Sequence, residues 1–156
     1  MSRPRRAAAP AAVVLTLAQC GLVRSSWARV ALIADVAAIV FSQRVFELDP
    51  SLAPRYSSAY MLTRGTTLLR MVDTMVVQLD DEATLALVVD ALGQRANAWQ
   101  VPGAHPDVIA AALLWALEIG SGSPFTARTR EAWQSAVSAL VYGAPVGDTR
   151  RTRVAA

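Results

Sequence analysis

One histidine, His105, and one cysteine, Cys20, are all that this 156-residue chain offers for imidazole or thiol chemistry. That scarcity removes whole classes of reaction. A serine hydrolase would have to use His105 as its base, yet Asp107 stands only two residues away and no Gly-x-Ser-x-Gly elbow presents a nucleophile. Zinc sites need several Cys, His or carboxylate ligands at short spacings, and no such cysteine–histidine spacing occurs. There is no phosphate-cradling loop and no trace of a flavin or nicotinamide domain. Cys20 has small neighbours in a helical stretch and reads as an inert thiol. Met61, Met71 and Met75 recur at helical spacing, the pattern of core filler rather than of thioether ligands. The expectation is a protein that is not an enzyme.

The elements that must position these residues are helical almost throughout. Thr16 followed by Gln19 forms a capping box, in which the hydroxyl takes an orphan amide and the glutamine reaches back. Leu22, Val23, Trp27, Val30 and Ala31 then share a face, and the apolar pattern resumes at Val36, Ile39, Val40 and Phe46. Pro50 ends that stretch, because the residue before a proline is pushed out of the helical region. A short turn of helix begins at Pro50 and is limited by Pro54. A long helix is expected from Ser58 to Leu79, burying Met61, Leu68, Met71, Met75 and Val76. Asp80 and Asp81 suit the start of the next helix, whose face carries Leu85, Val88, Val89, Leu92 and Ala96. After the break at Pro102 and Gly103, a helix from Pro106 to Ile119 is expected to stop at a left-handed Gly120. Thr126 caps the last helix, which buries Trp133, Val137, Leu140 and Val141.

Composition sets the outer bounds. Hydrophobic residues make up 54% of the chain and charged ones 17%, which excludes a disordered protein. No apolar run reaches the roughly 20 residues that span a bilayer. The net charge of +3 belongs to the ends: Arg3, Arg5 and Arg6 open the sequence, and Arg150, Arg151 and Arg153 close it. A nucleic-acid surface needs its cations gathered on one folded face, so none is expected. We therefore expect a basic, disordered segment over 1–14, one folded domain over 15–143, and an arginine-rich disordered tail over 144–156. Arg3 to Leu17 imitates a secretory signal, and Leu17 to Cys20 a lipoprotein box, but Gln19 before the cysteine spoils that box. A lone cysteine cannot make an internal disulfide, and a cytoplasmic protein is the expectation.

Specific motifs narrow the all-α class further. Leu22 to Trp27, Phe46 to Leu52, Ala111 to Glu118, and Phe125 with Thr126 through Glu131 to Trp133 resemble, in order, the single-domain bacterial haemoglobins and the globin domain of flavohaemoglobins. Leu92 to Val101 is similar to the stretch that carries the family's proximal ligand. The likeness covers about residues 15 to 142 and implies a globin fold, about seven helices packed around a haem-type pocket. It implies haem as cofactor, with oxygen or nitric oxide bound opposite a proximal histidine. By position, the implied pocket residues are Ser42, Tyr56, Arg64, Leu68 and Ala96. Ala96 occupies the proximal histidine position and Ser42 that of a distal tyrosine. Tyr56 replaces the phenylalanine that wedges the haem, and Arg64 a distal glutamine if Gly65 fixes the register. Pro106 stands where a tyrosine supports the proximal histidine. As a substitute iron ligand His105 is poorly placed, nine residues beyond Ala96 and on the far side of Pro102 and Gly103. Tyr56 reads as an aromatic wedge rather than as a tyrosinate ligand. Arg64 could hold a carboxylate in a bidentate pair or snorkel to solvent. Two functions follow from the sequence: haem-linked gas binding, as the resemblance implies, or a haem-free sensory or binding module for an apolar carboxylate.

Overall fold

Thr16 opens the first helix by the reciprocal bonds its sequence predicts: its hydroxyl accepts the Gln19 amide at 3.0 Å, and the Gln19 side chain accepts the Thr16 amide at 3.0 Å. The computed structural model describes residues 15–79, 90–91, 94, 99–123 and 125–142. Among these it contains five α-helices: α1 (Leu17–Ala31), α2 (Ala34–Leu48), α3 (Ser58–Val77), α4 (Pro106–Ser121) and α5 (Ala127–Val141), with a 3-10 turn at Pro50–Leu52. The expected count of about seven is thus five among the described residues; of the helix anticipated around Leu85 to Ala96 only Asp90, Ala91 and Gln94 are described, and they are helical. The segments 1–14 and 144–156 lie outside the described residues.

Helix ends obey local chemistry. The Ser57 hydroxyl accepts the Tyr60 amide and the Thr126 hydroxyl accepts the Thr129 amide, so α3 and α5 begin where a short polar side chain satisfies an orphan donor. Asp49 caps the 3-10 turn by accepting from the Ser51 amide and hydroxyl. The C-terminus of α4 departs from expectation. It runs past Gly120 to Ser121, and Gly122, with φ of +79°, makes the left-handed turn. Gly120 serves packing instead: a Cβ there would stand 3.2 Å from Cγ2 of Val30 in α1.

The expected buried stripe of α3 is observed, with Met61, Leu68, Met71, Met75 and Val76 all in the core. That of α2 is observed in part. Val40 and Phe46 pack against the core, but Val36 and Ile39 are 51% and 43% exposed, while Ala37, Ala38, Phe41, Ser42 and Val45 are buried. Ile33, at φ −129° and ψ 40°, interrupts the helical path, so α2 restarts with a new phase and does not continue the face of α1.

Helix α2 packs against both α3 and α4, and α5 packs on α1 and α4. Where α1, α4 and α5 meet, polar atoms are paired. The Ser26 hydroxyl donates to the Leu22 carbonyl at 2.7 Å and accepts the Trp133 indole N–H at 2.7 Å. Trp27 gives its N–H to the Asp73 carboxylate at 2.8 Å, and Arg29 donates to the Ser121 carbonyl at 2.9 Å. The Trp27 and Trp133 rings meet in a tilted arrangement, their centroids 6.3 Å apart.

Candidate functional site: a cavity between α3 and α4

At the other end of the bundle the chain turns sharply before α4. Gly103, with φ of +91°, occupies the left-handed region, and the Ala104 amide closes the turn on the Val101 carbonyl at 2.9 Å. A second demand on Gly103 comes from the Arg55 guanidinium, whose Nη1 would lie 2.4 Å from a Cβ there. Arg55 precedes Tyr56, whose hydroxyl donates to the Pro102 carbonyl at 2.5 Å. The corner after α2 is thereby fastened to the turn before α4, 46 residues further on. Tyr56 stacks on Tyr60, with ring centroids 4.6 Å apart, and Arg64 lies over the other aromatic of that pair, 4.8 Å from the Tyr60 centroid.

Beyond this ladder lies a cavity of about 330 Å³, bordered among the described residues by Arg64, by the turn from Trp99 to Ala104, and by Pro106, Ile109 and Val141. That volume sits at the lower end of the roughly 300–1,000 Å³ of small-molecule sites. Next to Arg64, Gly65 lets α3 lie close to α2, because a Cβ there would come within 2.8 Å of Cδ2 of the buried Phe41. Trp99 is 3% exposed, and its indole nitrogen has no hydrogen-bond partner. Sequence reasoning did not single out Trp99, since nothing in residue type or spacing distinguishes a paired indole from an unpaired one. A wider groove of about 470 Å³ borders Trp27, Arg70 and Asp73, but there the indole is already bonded to Asp73.

Of the five pocket positions implied by resemblance, only Arg64 is brought to this cavity wall among the described residues. Ser42 is buried, but its hydroxyl donates back to the Ile39 carbonyl at 3.0 Å, within its own helix. Leu68 is core, and Tyr56 is engaged with Pro102. Ala96 lies outside the described residues. His105 is the N-cap of α4: its Nδ1 accepts the Asp107 amide at 3.0 Å, which requires a lone pair on that nitrogen. The 3.6 Å approach of the same Nδ1 to Asp107 Oδ2 would instead require a proton there, so we read it as a contact and not an ion pair. With its side chain 67% exposed, His105 caps a helix at the surface, as expected, and does not reach the cavity.

Near the cavity's Val141, the Tyr142 hydroxyl donates to Asp107 Oδ1 and ties the end of α5 to the start of α4. Partial burial, then the hydrogen bond to Asp107 and its negative charge, push the phenol from its ordinary 10.0 up to about 12.

An all-helical bundle with a proline-bounded corner and a cavity between its long third helix and the following turn is the frame of one large class of proteins, and comparison settles which. A family model described as Globin matches residues 41–144. The chain belongs to the globin family. It is 29% identical to the neuroglobin of Danio rerio over 134 residues, 78% of this chain and 84% of that protein. Neuroglobins of Tetraodon nigroviridis and Chaenocephalus aceratus are 27% and 28% identical over 133 residues, each alignment covering 77% of this chain and 84% of the relative.

Globins generally hold haem, so the donor set of the cavity is the test of fit. Iron needs an axial imidazole, thiolate, thioether or phenolate. Among the described residues that border the cavity none carries one. Cys20 instead donates to the Leu79 carbonyl, and Met61, Met71 and Met75 are core. No group of three His, Cys, Asp or Glu residues able to hold a metal ion occurs among the described residues. The described residues that border the cavity thus offer an iron porphyrin no axial ligand.

Proposed function

We propose that this globin works without haem, as a non-enzymatic cytoplasmic binding or sensory module for a small apolar carboxylate. The observation that carries the reading is the cavity itself: apolar Val101, Ile109 and Val141 on one side, the Arg64 cation in the wall, and no iron ligand among its described residues. At about 30 Å³ per water-sized group it holds about ten such groups, the size of a fatty acid of about eight carbons. A planar guanidinium matches a carboxylate bidentately, which supports an anionic head group. The single cysteine, Cys20, is buried and cannot form an internal disulfide, which supports a reducing compartment. Within the family, the motifs of α1, α2, α4 and α5 support a relationship to the single-domain bacterial haemoglobins.

Two titrations of the purified protein test the proposal. Haemin should give no sharp, saturable Soret band, and octanoate should bind saturably at one site by calorimetry. A stoichiometric Soret band that shifts with added ligand gas would restore the haem-linked, gas-binding role of the family and overturn the proposal.

A further inference from the structure

Five large apolar side chains, Ile33, Val36, Ile39, Trp115 and Ile119, are each between 39% and 51% exposed, and all belong to α2, to its N-cap or to α4. Leu32 adjoins them at the corner before α2; elsewhere among the described residues the large exposed hydrophobics, Leu17, Leu48, Val77 and Tyr142, stand singly at helix ends. The two helices pack on each other in antiparallel sense. Arg44 of α2 lies over the Trp115 ring, 4.2 Å from its centroid, while Val30, just before α2, lies against Gly120 of α4. The turn from Trp115 to Ile119 therefore runs beside the turns from Arg44 back to Val40 and Val36, and the five residues form one outward face across the seam.

At roughly 200 Å² for a large side chain, these exposures amount to on the order of 450 Å² of apolar surface. A standard interface takes about 800 Å² from each partner and is about 57% apolar, which comes to the same amount. Charge selects the occupant. Arg44 and Glu47 follow Val36 and Val40 along the outward stripe of α2 and pair with each other at 3.1 Å, so the charges of this face cancel. It offers no excess charge to an acidic or basic partner, and it meets a copy of itself without repulsion. We propose that this face joins two copies of the chain about a two-fold axis, with Trp115 and Arg44, residue types that dominate interface energies, inside the contact. None of these residues borders the cavity, so the pairing is independent of what the cavity holds.

Sedimentation velocity of the full-length protein over a wide range of concentration tests the pairing. The mass should rise with concentration toward twice the 16.6 kDa of one chain. Val36→Glu and Ile119→Arg each put an unpaired charge into the contact and should weaken association at least about tenfold. Val77→Glu changes an exposed apolar residue at the end of α3, away from the face, and should leave association unchanged. A single-chain mass at every concentration overturns the proposal, as does a dimer whose affinity either face variant leaves unchanged. Equal weakening by Val77→Glu and Val36→Glu overturns it too, since the effect would then not be local. A single-chain mass with co-sedimentation on phosphatidylcholine vesicles would give the face to a lipid surface instead. Both face positions are exposed, so the buried contacts of α2 and α4 are kept; should Ile119→Arg fail to fold, Val36→Glu decides the question.

Discussion

Trp133 and Trp99 are buried to nearly the same degree, at 0% and 3% exposure, yet one indole is bonded and the other is not. At the Trp133 end, Ser26 lends its hydroxyl as an acceptor while donating to its own helix, and Trp27, Asp73, Arg29 and Ser121 complete a set of paired groups. That region is finished by the chain's own atoms. At the Trp99 end Arg55 lies against Gly103, Tyr56 bonds the Pro102 carbonyl, and a cavity remains beside them. The difference separates a region whose polar groups are paired from one that keeps a cavity and an unpaired indole.

Changes at the two ends should therefore have unequal consequences. Ser26→Ala strands the Trp133 N–H in a dry core and should cost about 1–3 kcal/mol, read as a lower denaturant midpoint with unchanged m-value. An unchanged midpoint would mean that the closed end is less tightly specified than its bonding implies. Trp99→Phe in the ligand-free protein deletes a donor that has no partner while shrinking a buried ring, and these opposing terms should leave a loss smaller than that of Ser26→Ala. A loss as large as that of Ser26→Ala would erase the contrast.

A further effect is confined to alkaline pH. The fold raises the Tyr142 phenol from 10.0 to about 12, so it favours the protonated form. Its stabilising contribution is complete below pH 10 and is lost as pH rises toward 12. Tyr142→Phe should accordingly flatten the fall in stability between pH 10 and pH 12 in denaturation experiments. An unaltered alkaline slope would show that the tie between α4 and α5 does not contribute.

Much of the framework was legible because it depends on neighbours in sequence. The caps at Thr16 and Thr126 satisfy amides three residues away, and the α3 stripe follows from helical period alone. Expectation failed where geometry over longer distance intervened. A non-helical Ile33 reset the phase of α2 and exposed Val36 and Ile39, and contact with Val30 in α1 kept Gly120 inside α4 while Gly122 made the turn. The site was less legible than the fold. Arg64 was identified and reaches the cavity, Ser42 and Leu68 serve other packing needs, and Trp99 went unnoticed because lacking a partner is a property of its surroundings.

Residue order by itself determined the helical character of the chain, where most of its helices begin, and an alanine at position 96, where the resemblance implies a histidine, since caps, periodicity and motif order are local facts. Only the tertiary structure decided that Tyr56 would fasten to Pro102, that Arg64 and Trp99 would share one cavity, and that of three buried indoles one would remain unpaired. Those outcomes join groups tens of residues apart, and it is the packing of α2, α3 and α4 that sets which of them come within reach of a hydrogen bond.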